Sequence, residues 1–134
     1  MGKKILIMAV MSVLLLAGCN QESIEERLQR ECKEYTNRRC PEEQGNNSIL
    51  DSMVFDIKTH TLNHYYRLYG VSDNEEAARF KKDELHDLMI EAIKKDTSYK
   101  RYKDEGFSFR YIARSDSSGR VIFDETFTKD DYGY

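Results

Sequence analysis

The first apolar pattern past residue 22 has the spacing of a helix. Its members recur at intervals of four, four and three residues: Ile24, Leu28, Cys32 and Tyr35. Charged residues occupy the positions between them, which is typical of an amphipathic helix with one face on a core. Ser23 followed by Glu26 is typical of a capping box, in which the two side chains pair with each other's free backbone amides. The pattern therefore predicts a helix from about Ser23 to Arg38.

Alternation of apolar and polar positions predicts four strands in two hairpins. The first hairpin would pair residues 50–58 with residues 62–69, and the second would pair residues 106–114 with residues 120–128. Residues 41–48 contain proline, glycine and asparagine, and we interpret them as a loop.

A second helical pattern lies between the hairpins. Gly70 interrupts the strand, and Ser72 with Glu75 offers another capping box. The apolar side of this helix would extend to about Lys95, and it consists of Phe80, Leu85, Leu88, Met89, Ala92 and Ile93. The order helix, hairpin, helix, hairpin predicts an α+β fold, a four-stranded antiparallel sheet with helices on one face.

The residues before the first helix form a short apolar run. Lys3 and Lys4 precede about a dozen apolar residues, and the small residues Ala17 and Gly18 end the run. This is the order of a secretory signal, and the run is shorter than the ~20 residues that a membrane-spanning helix needs. We therefore expect residues 1–18 to be a signal peptide that is removed.

The end of this leader, Leu16-Ala17-Gly18-Cys19, resembles the lipobox of bacterial lipoproteins. The resemblance implies that the Cys19 thiol receives a diacylglycerol and that the leader is cut before it. It also implies a cell-envelope protein held on the membrane by lipid. An ordinary secretory signal that happens to contain a cysteine is the alternative. Because Asn20 stands where Gram-negative lipoproteins of the inner membrane tend to carry aspartate, the outer membrane is favoured if the envelope is Gram-negative.

The mature chain would consist of a lipidated tether, residues 19–22, and a single domain, residues 23–134. Loss of the leader removes two lysines and no acid, which leaves 19 basic and 24 acidic residues and a net charge of −5. An acidic surface is a poor match for nucleic acid. We therefore expect no nucleic-acid partner.

The remaining cysteines, Cys32 and Cys40, are a candidate disulfide, because export permits oxidation. On one continuous helix they would lie ~12 Å apart along the axis, whereas a disulfide needs Cα atoms within ~7 Å. A bond therefore requires the helix to end before Cys40. Pro41 favours such an ending, since it disfavours helical backbone at the preceding residue. Two separate buried thiols are the alternative.

Tyr65, Arg67 and Tyr69 share one face of the second predicted strand. If helices cover only the other face, these side chains form an exposed aromatic and cationic surface suited to a protein or a glycan. The alternative is that long side chains simply cover a sheet face.

Two further groups of residues have weaker chemical patterns. Residues 99–103, Tyr-Lys-Arg-Tyr-Lys, could meet the phosphates of lipid headgroups or an envelope polymer, or they could be the solvated end of a helix. His60 and His64 are the nearest approach to a metal pair, and no cluster of Cys or carboxylates completes a ligand set. We predict no metal and no cofactor.

Residues 40–52 and 62–70 resemble a pattern in small, poorly characterised envelope proteins of bacteria. In that pattern a proline-containing loop leads into a Leu-Asp strand and then a tyrosine-rich strand. The resemblance assigns no functional residue.

Catalytic signatures are missing from the sequence, which has no G-x-S-x-G elbow and no glycine-rich phosphate loop. The leading hypothesis is a small non-enzymatic lipoprotein that binds another protein or an envelope component. A second is an inhibitor or immunity-type lipoprotein that blocks an envelope-degrading enzyme. A third is an enzyme acting on envelope polymers, which would need a cleft with converging carboxylates or a histidine held by an acid.

Overall fold

The computed structural model describes residues 21–133. The predicted signal peptide and the predicted lipidation of Cys19 lie outside the described residues. Helix α1 spans Ile24–Arg39, within one residue of the predicted limits. The amide of Glu26 donates to the Ser23 hydroxyl at 3.1 Å, so Ser23 caps the helix as the sequence predicts.

The predicted disulfide between Cys32 and Cys40 is wrong, because both thiols are free in the structure. Helix α1 continues through Arg39, and Cys40 leaves it in extended conformation, with φ −88° and ψ 146°. Eight helical steps therefore separate the two residues, and this corresponds to ~12 Å along the axis. The helix ends too late for the chain to bring Cys40 back beside Cys32.

The sheet has five strands rather than four. Their bounds are β1 Glu42–Gly45, β2 Ser48–Asp56, β3 Thr61–Leu68, β4 Ser108–Ser115 and β5 Val121–Phe127. The strands lie side by side in chain order. Neighbouring strands are antiparallel except for β3 and β4, which are parallel. The prediction of a purely antiparallel sheet is wrong there, because residues 69–107 carry the chain back to the edge where β3 began, as a parallel pair requires.

Strand β1 lies inside the segment predicted to be a loop. It is joined to β2 by Asn46 and Asn47, whose φ angles are +52° and +57°. Two consecutive left-handed residues are the geometry of a type I′ turn, which closes a two-residue hairpin. The turn-forming residues therefore lie at the centre of a hairpin, and the prediction of a loop over residues 41–48 is wrong for β1.

The predicted second helix is divided into several shorter elements. They are the 3-10 turn Gly70–Ser72, α2 Glu75–Phe80, α3 Lys82–Lys95, the 3-10 turn Thr97–Tyr99 and α4 Lys100–Asp104. The cap of α2 is Asn74, whose side chain accepts from the amide of Ala77 at 2.9 Å. The predicted cap, Ser72, instead donates its hydroxyl to the carbonyl of Asn46 at 2.6 Å. A last short helix, α5, spans Lys129–Tyr132.

The hydrophobic core lies between the sheet and these helices. Its buried members are Leu28, Cys32, Phe55, Leu62, Ile93, Phe107, Phe109, Phe127 and Tyr132. The α+β class is therefore confirmed. Among residues 21–133, each helix is too short or too polar to cross a membrane.

Candidate functional site: a tyrosine-lined cleft

A cleft of about 440 Å³ opens between α1, the sheet and the 3-10 turn that precedes α4. We call it the tyrosine cleft. It is lined by Leu28, Glu31, Cys32, Tyr35, Gln44, Leu50, Met53, Leu62, His64, Tyr66, Asp96, Tyr99, Tyr102 and Tyr111. Its volume lies within the range of ~300–1,000 Å³ typical of ligand pockets.

Five of the lining residues are half-buried tyrosines, contributed by five different elements: Tyr35, Tyr66, Tyr99, Tyr102 and Tyr111. The parallel register of β3 and β4 places His64 directly beside Tyr111. Two of the hydroxyls at the rim are held by carboxylates. Tyr35 donates to Glu42 at 2.6 Å, and Tyr102 donates to Glu31 at 3.2 Å. Such rings offer a large apolar area and a fixed polar tip, the combination that dominates many binding sites.

His64 lines the cleft and is only 3% exposed. Its ring stacks on that of Tyr111, with centroids 4.4 Å apart and planes 7° apart. Nδ1 lies 3.3 Å from the carbonyl oxygen of Arg110, and Nε2 lies 3.0 Å from the hydroxyl of Tyr99. Because a carbonyl can only accept, we assign the ring proton to Nδ1 and the acceptor role to Nε2.

The floor of the cleft is electrically neutral at pH 7. Burial lowers the pKa of His64 to about 4, and burial raises the pKa of Tyr66 to about 12. Burial also raises the pKa of Tyr99 and Tyr111 above the ordinary tyrosine value. Desolvation disfavours the charged form in each case, so these four groups present uncharged rings and hydroxyls.

The formal charges among the lining residues are both negative. Glu31 accepts from Arg27 at 2.8 Å and from Tyr102 at 3.2 Å, and these hydrogen bonds lower the pKa of its carboxyl. Asp96 accepts from the amide of Ser98 at 2.9 Å. Neither lysine nor arginine belongs to the lining set. Because Arg27 already pairs with Glu31, the cleft is suited to an apolar ligand whose positive charge lies beside Asp96.

The arrangement around His64 does not resemble a hydrolytic site. Its two ring nitrogens contact a backbone carbonyl and a tyrosine hydroxyl, whereas an activated nucleophile needs a base oriented by a third group. Within residues 21–133, no group of three or more His, Cys, Asp or Glu side chains is placed to hold a metal ion. The geometry fits binding better than catalysis.

The predicted surface of Tyr65, Arg67 and Tyr69 lies away from the tyrosine cleft. Arg67 binds Asp51 through Nε and Nη2, at 2.9–3.2 Å, and Asp116 through Nη1 at 3.0 Å. Tyr69 donates its hydroxyl to Glu43 at 2.7 Å. These contacts tie the cationic and aromatic groups to the protein's own carboxylates.

Long side chains also cover this face of the sheet. Ile112 is paired with Tyr65 on one side and with Asp124 on the other, and it is only 3% exposed. Arg110 binds Asp124 with two hydrogen bonds of 2.8 and 2.9 Å. The burial of Ile112 and the pairing of Arg110 with Asp124 support the alternative interpretation, in which long side chains cover this face of the sheet.

The sequence prediction missed the tyrosine cleft because its members converge only in three dimensions. Alternation did place His64 and Tyr66 on the apolar face of one strand, and Tyr111 on that of another. It gave no indication that Tyr99 would approach them, since the 3-10 turn carrying it was not predicted. Cys32 lies in the wall of the cleft, and burial raises the pKa of its thiol to about 11.

Comparisons with known proteins show one family and one fold. Residues 23–123 match the family model described as Domain of unknown function (DUF8479). No curated protein matches the sequence significantly.

Three solved structures share the fold. A Pseudomonas aeruginosa protein inferred to be secreted has a TM-score of 0.67 at 13% identity, over 84% of this chain and 99% of that one. The pilotin EpsS of the Vibrio vulnificus type 2 secretion system has a TM-score of 0.57 at 17% identity, over 82% and 96%. The type II secretion system pilotin AspS of Vibrio cholerae has a TM-score of 0.56 at 13% identity, over 80% and 90%.

Proposed function

The chain belongs to the family described as Domain of unknown function (DUF8479), and we propose that it is a non-enzymatic, lipid-anchored envelope protein that binds a segment of another protein in the tyrosine cleft. The observation that carries the proposal is the convergence of five half-buried tyrosines around a neutral floor. Aromatic residues clustered in a partly desolvated pocket are typical of the centres of binding interfaces.

The fold supports a role in an envelope assembly. Two of the similar structures are pilotins of type 2 secretion systems. The alignments cover at least 80% of this chain, so the likeness extends over most of the described domain. We propose that the partner is a component of a comparable envelope assembly.

The leader supports a lipid anchor. Residues 16–19 match the lipobox, and two or three acyl chains together give stable attachment, whereas one alone is marginal. Asn20 supports the outer membrane as the destination. In this proposal the anchor determines where the domain stays, and the cleft determines what it binds.

The lining of the cleft defines the chemistry of the partner segment. Tyrosine rings and the apolar side chains Leu50 and Met53 would accept aliphatic or aromatic residues. Asp96 would favour a lysine or arginine beside it, whereas Glu31 is already paired with Arg27. The partner is therefore an apolar segment that carries a basic residue.

Crosslinking in living cells tests the proposal. The lipidated full chain would be crosslinked, purified and analysed by mass spectrometry, in parallel with a double variant, Tyr35→Ala with Tyr102→Ala. Tyr35 lies outside the hydrophobic core, whereas Tyr102 packs against it, so the folding of the double variant is checked by thermal melting. We expect recovery of an envelope protein to fall at least tenfold, since an aromatic residue packed against a partner in such a pocket can contribute ~2 kcal/mol or more to binding.

The matched control is the double variant Tyr65→Ala with Tyr69→Ala, on the opposite face of the sheet. Its recovery of the same partner should stay within twofold, and thermal melting should show that both variants are folded. Loss of the partner in this control alone would refute the cleft as the binding site. It would indicate that the partner binds the surface of Tyr65, Arg67 and Tyr69. A partner that is itself an envelope-degrading enzyme, inhibited on binding, would support the inhibitor hypothesis.

A further inference from the structure

A polar groove of about 540 Å³ lies on the face of the sheet opposite the tyrosine cleft. We call it the sheet groove. Its lining combines hydroxyls, carboxylates, an amide and a guanidinium: Asp56, Thr59, Thr61, Asn63, Tyr65, Arg110, Asp124 and Thr126. Asn63, Arg110 and Thr126 are paired across β3, β4 and β5. They therefore form a row of polar side chains that spans two strand spacings, ~10 Å.

Asn63 presents an unpaired oxygen to the sheet groove. The residue is only 7% exposed. Its Nδ2 donates to the carbonyls of Val54 and Thr61, both at 3.3 Å, and since carbonyls can only accept, the other amide atom is Oδ1. Oδ1 accepts no hydrogen bond from residues 21–133. Because every fully buried side-chain nitrogen or oxygen among these residues has a partner, Oδ1 is the atom of Asn63 that a ligand can reach.

Other polar groups of the sheet groove are also available to a ligand. Within the described part of the chain, the hydroxyls of Tyr65 and Thr126 make no hydrogen bond. Arg110 binds both oxygens of Asp124 through Nε and Nη2, at 2.9 and 2.8 Å, and Nη1 makes no hydrogen bond to a described residue. The groove therefore offers an acceptor, a donor and two hydroxyls that can act as either.

The charges of the sheet groove do not favour an ionic ligand. Among its lining residues, the guanidinium of Arg110 is neutralised by Asp124 at 2.8 Å, and Asp56 is the other charged side chain. A polyanion would therefore meet a net negative charge. A cation would meet one carboxylate, whose Oδ1 already accepts from the amide of Lys58 at 2.9 Å. The matching ligand is uncharged and rich in hydrogen-bonding groups.

We propose that the sheet groove binds a neutral oligosaccharide. Each sugar ring carries adjacent hydroxyls that both donate and accept, and its apolar face packs on an aromatic ring such as that of Tyr65. The bidentate pair with Asp124 holds the guanidinium of Arg110 in one orientation, so that Nη1 is directed before the sugar arrives. Arg67 and Tyr69 lie farther along the chain, outside the groove.

This inference goes beyond the proposed function. The sheet groove and the tyrosine cleft lie on opposite faces of the sheet, because alternate residues of β3 line them. Binding of a sugar in the groove requires neither the protein partner nor the lipid on Cys19. Failure of one proposal therefore leaves the other standing.

A nuclear magnetic resonance titration tests the proposal with three neutral probes: chitotriose, cellotriose and maltotriose. The full chain made in cells is solubilised in detergent and titrated with each. We expect at least one probe to shift the side-chain amide of Asn63 and the backbone amides around it, with a dissociation constant of about 1 mM or below. Trigalacturonate, which carries carboxylates, should bind about tenfold more weakly.

Two outcomes of the titration would overturn the proposal. One is the absence of saturable shifts with all three neutral probes up to about 10 mM, a range that reaches millimolar complexes. The other is a set of shifts confined to the tyrosine cleft, which would place the sugar on the wrong face of the sheet.

Substitutions test the individual contacts, with thermal melting to verify folding. Tyr65→Ala removes the ring and should weaken binding about tenfold. Thr126→Val removes an exposed hydroxyl at nearly constant shape and should weaken binding about two- to tenfold. The matched controls are Tyr69→Ala and Thr97→Val, both outside the groove, which should bind within about twofold of the parent. Equal affinity of the groove variants and their controls would contradict the site even if a sugar binds.

Discussion

At the scale of single residues, His64 makes the stability of the fold depend on pH. Its pKa is lowered to about 4 by burial, compared with ~6.5 for an unperturbed histidine. Between these values the unfolded chain binds a proton that the folded chain excludes, so stability falls as pH falls from 6.5 towards 4. We expect this group to remove about 2–3 kcal/mol from the free energy of unfolding between pH 7 and pH 4.5.

The contribution of His64 to this pH dependence must be distinguished from that of other groups that titrate over the same range. His64→Gln keeps a polar side chain that does not titrate, so it should flatten the dependence of unfolding free energy on pH by the same amount. Urea unfolding at several pH values gives both curves. Parallel curves for the two proteins would show that His64 does not resist protonation in the folded state.

Lys103 is a second buried polar residue, and its contacts are structural. Its Nζ donates to the carbonyls of Ile93, Lys94 and Asp96 at 2.7, 3.1 and 2.9 Å. Those carbonyls end α3 and have no partner within the helix. Lys103→Met should therefore lower the free energy of unfolding by about 3 kcal/mol. Arg101→Met, on the exposed side of the same helix, should change it by less than ~0.5 kcal/mol. Similar values for the two variants in urea unfolding would contradict this role.

At the scale of elements, the hairpin of β1 and β2 depends on its two-residue turn. Asn46 and Asn47 both have positive φ, a conformation that costs a residue with a branched Cβ about 1–2 kcal/mol. Asn46→Val should lower the free energy of unfolding by that amount, whereas Asn46→Gly should leave it within ~0.5 kcal/mol. Urea unfolding of both variants measures the difference. Equal stability of the valine and glycine variants would show that the turn is not held in this geometry.

The same turn shows which elements local sequence can predict. The bounds of helix α1 agree with the prediction within one residue because its apolar stripe and its Ser23 cap indicate the same segment. Strand β1 was missed because Glu42, Glu43 and Gln44 show no alternation and the strand has only four residues. The parallel pairing of β3 and β4 could not be predicted, since it depends on where residues 69–107 lie and not on either strand's own pattern.

At the scale of the whole molecule, the cleft was less predictable than the fold. Its tyrosines belong to five elements, and their meeting depends on the parallel pairing of β3 and β4 and on the turn at Tyr99. Among the residues chosen because they share one strand, Tyr65, Arg67 and Tyr69, the last two are bound by neighbouring carboxylates. A single strand shows which side chains share a face, but the tertiary arrangement determines which of them meet side chains from other elements.

The predicted anchor and the tyrosine cleft belong to different parts of the chain. The tyrosine cleft is built from residues 28–111, whereas the predicted anchor is a residue before α1. Cys19→Ser should therefore abolish retention in the membrane fraction without changing the unfolding midpoint of the domain. It should also leave the affinity of the purified domain for its crosslinked partner within twofold. In cells, however, recovery of that partner should fall, because the anchor no longer raises the local concentration of the domain. Weakened binding by the purified variant would show instead that the lipid forms part of the binding site.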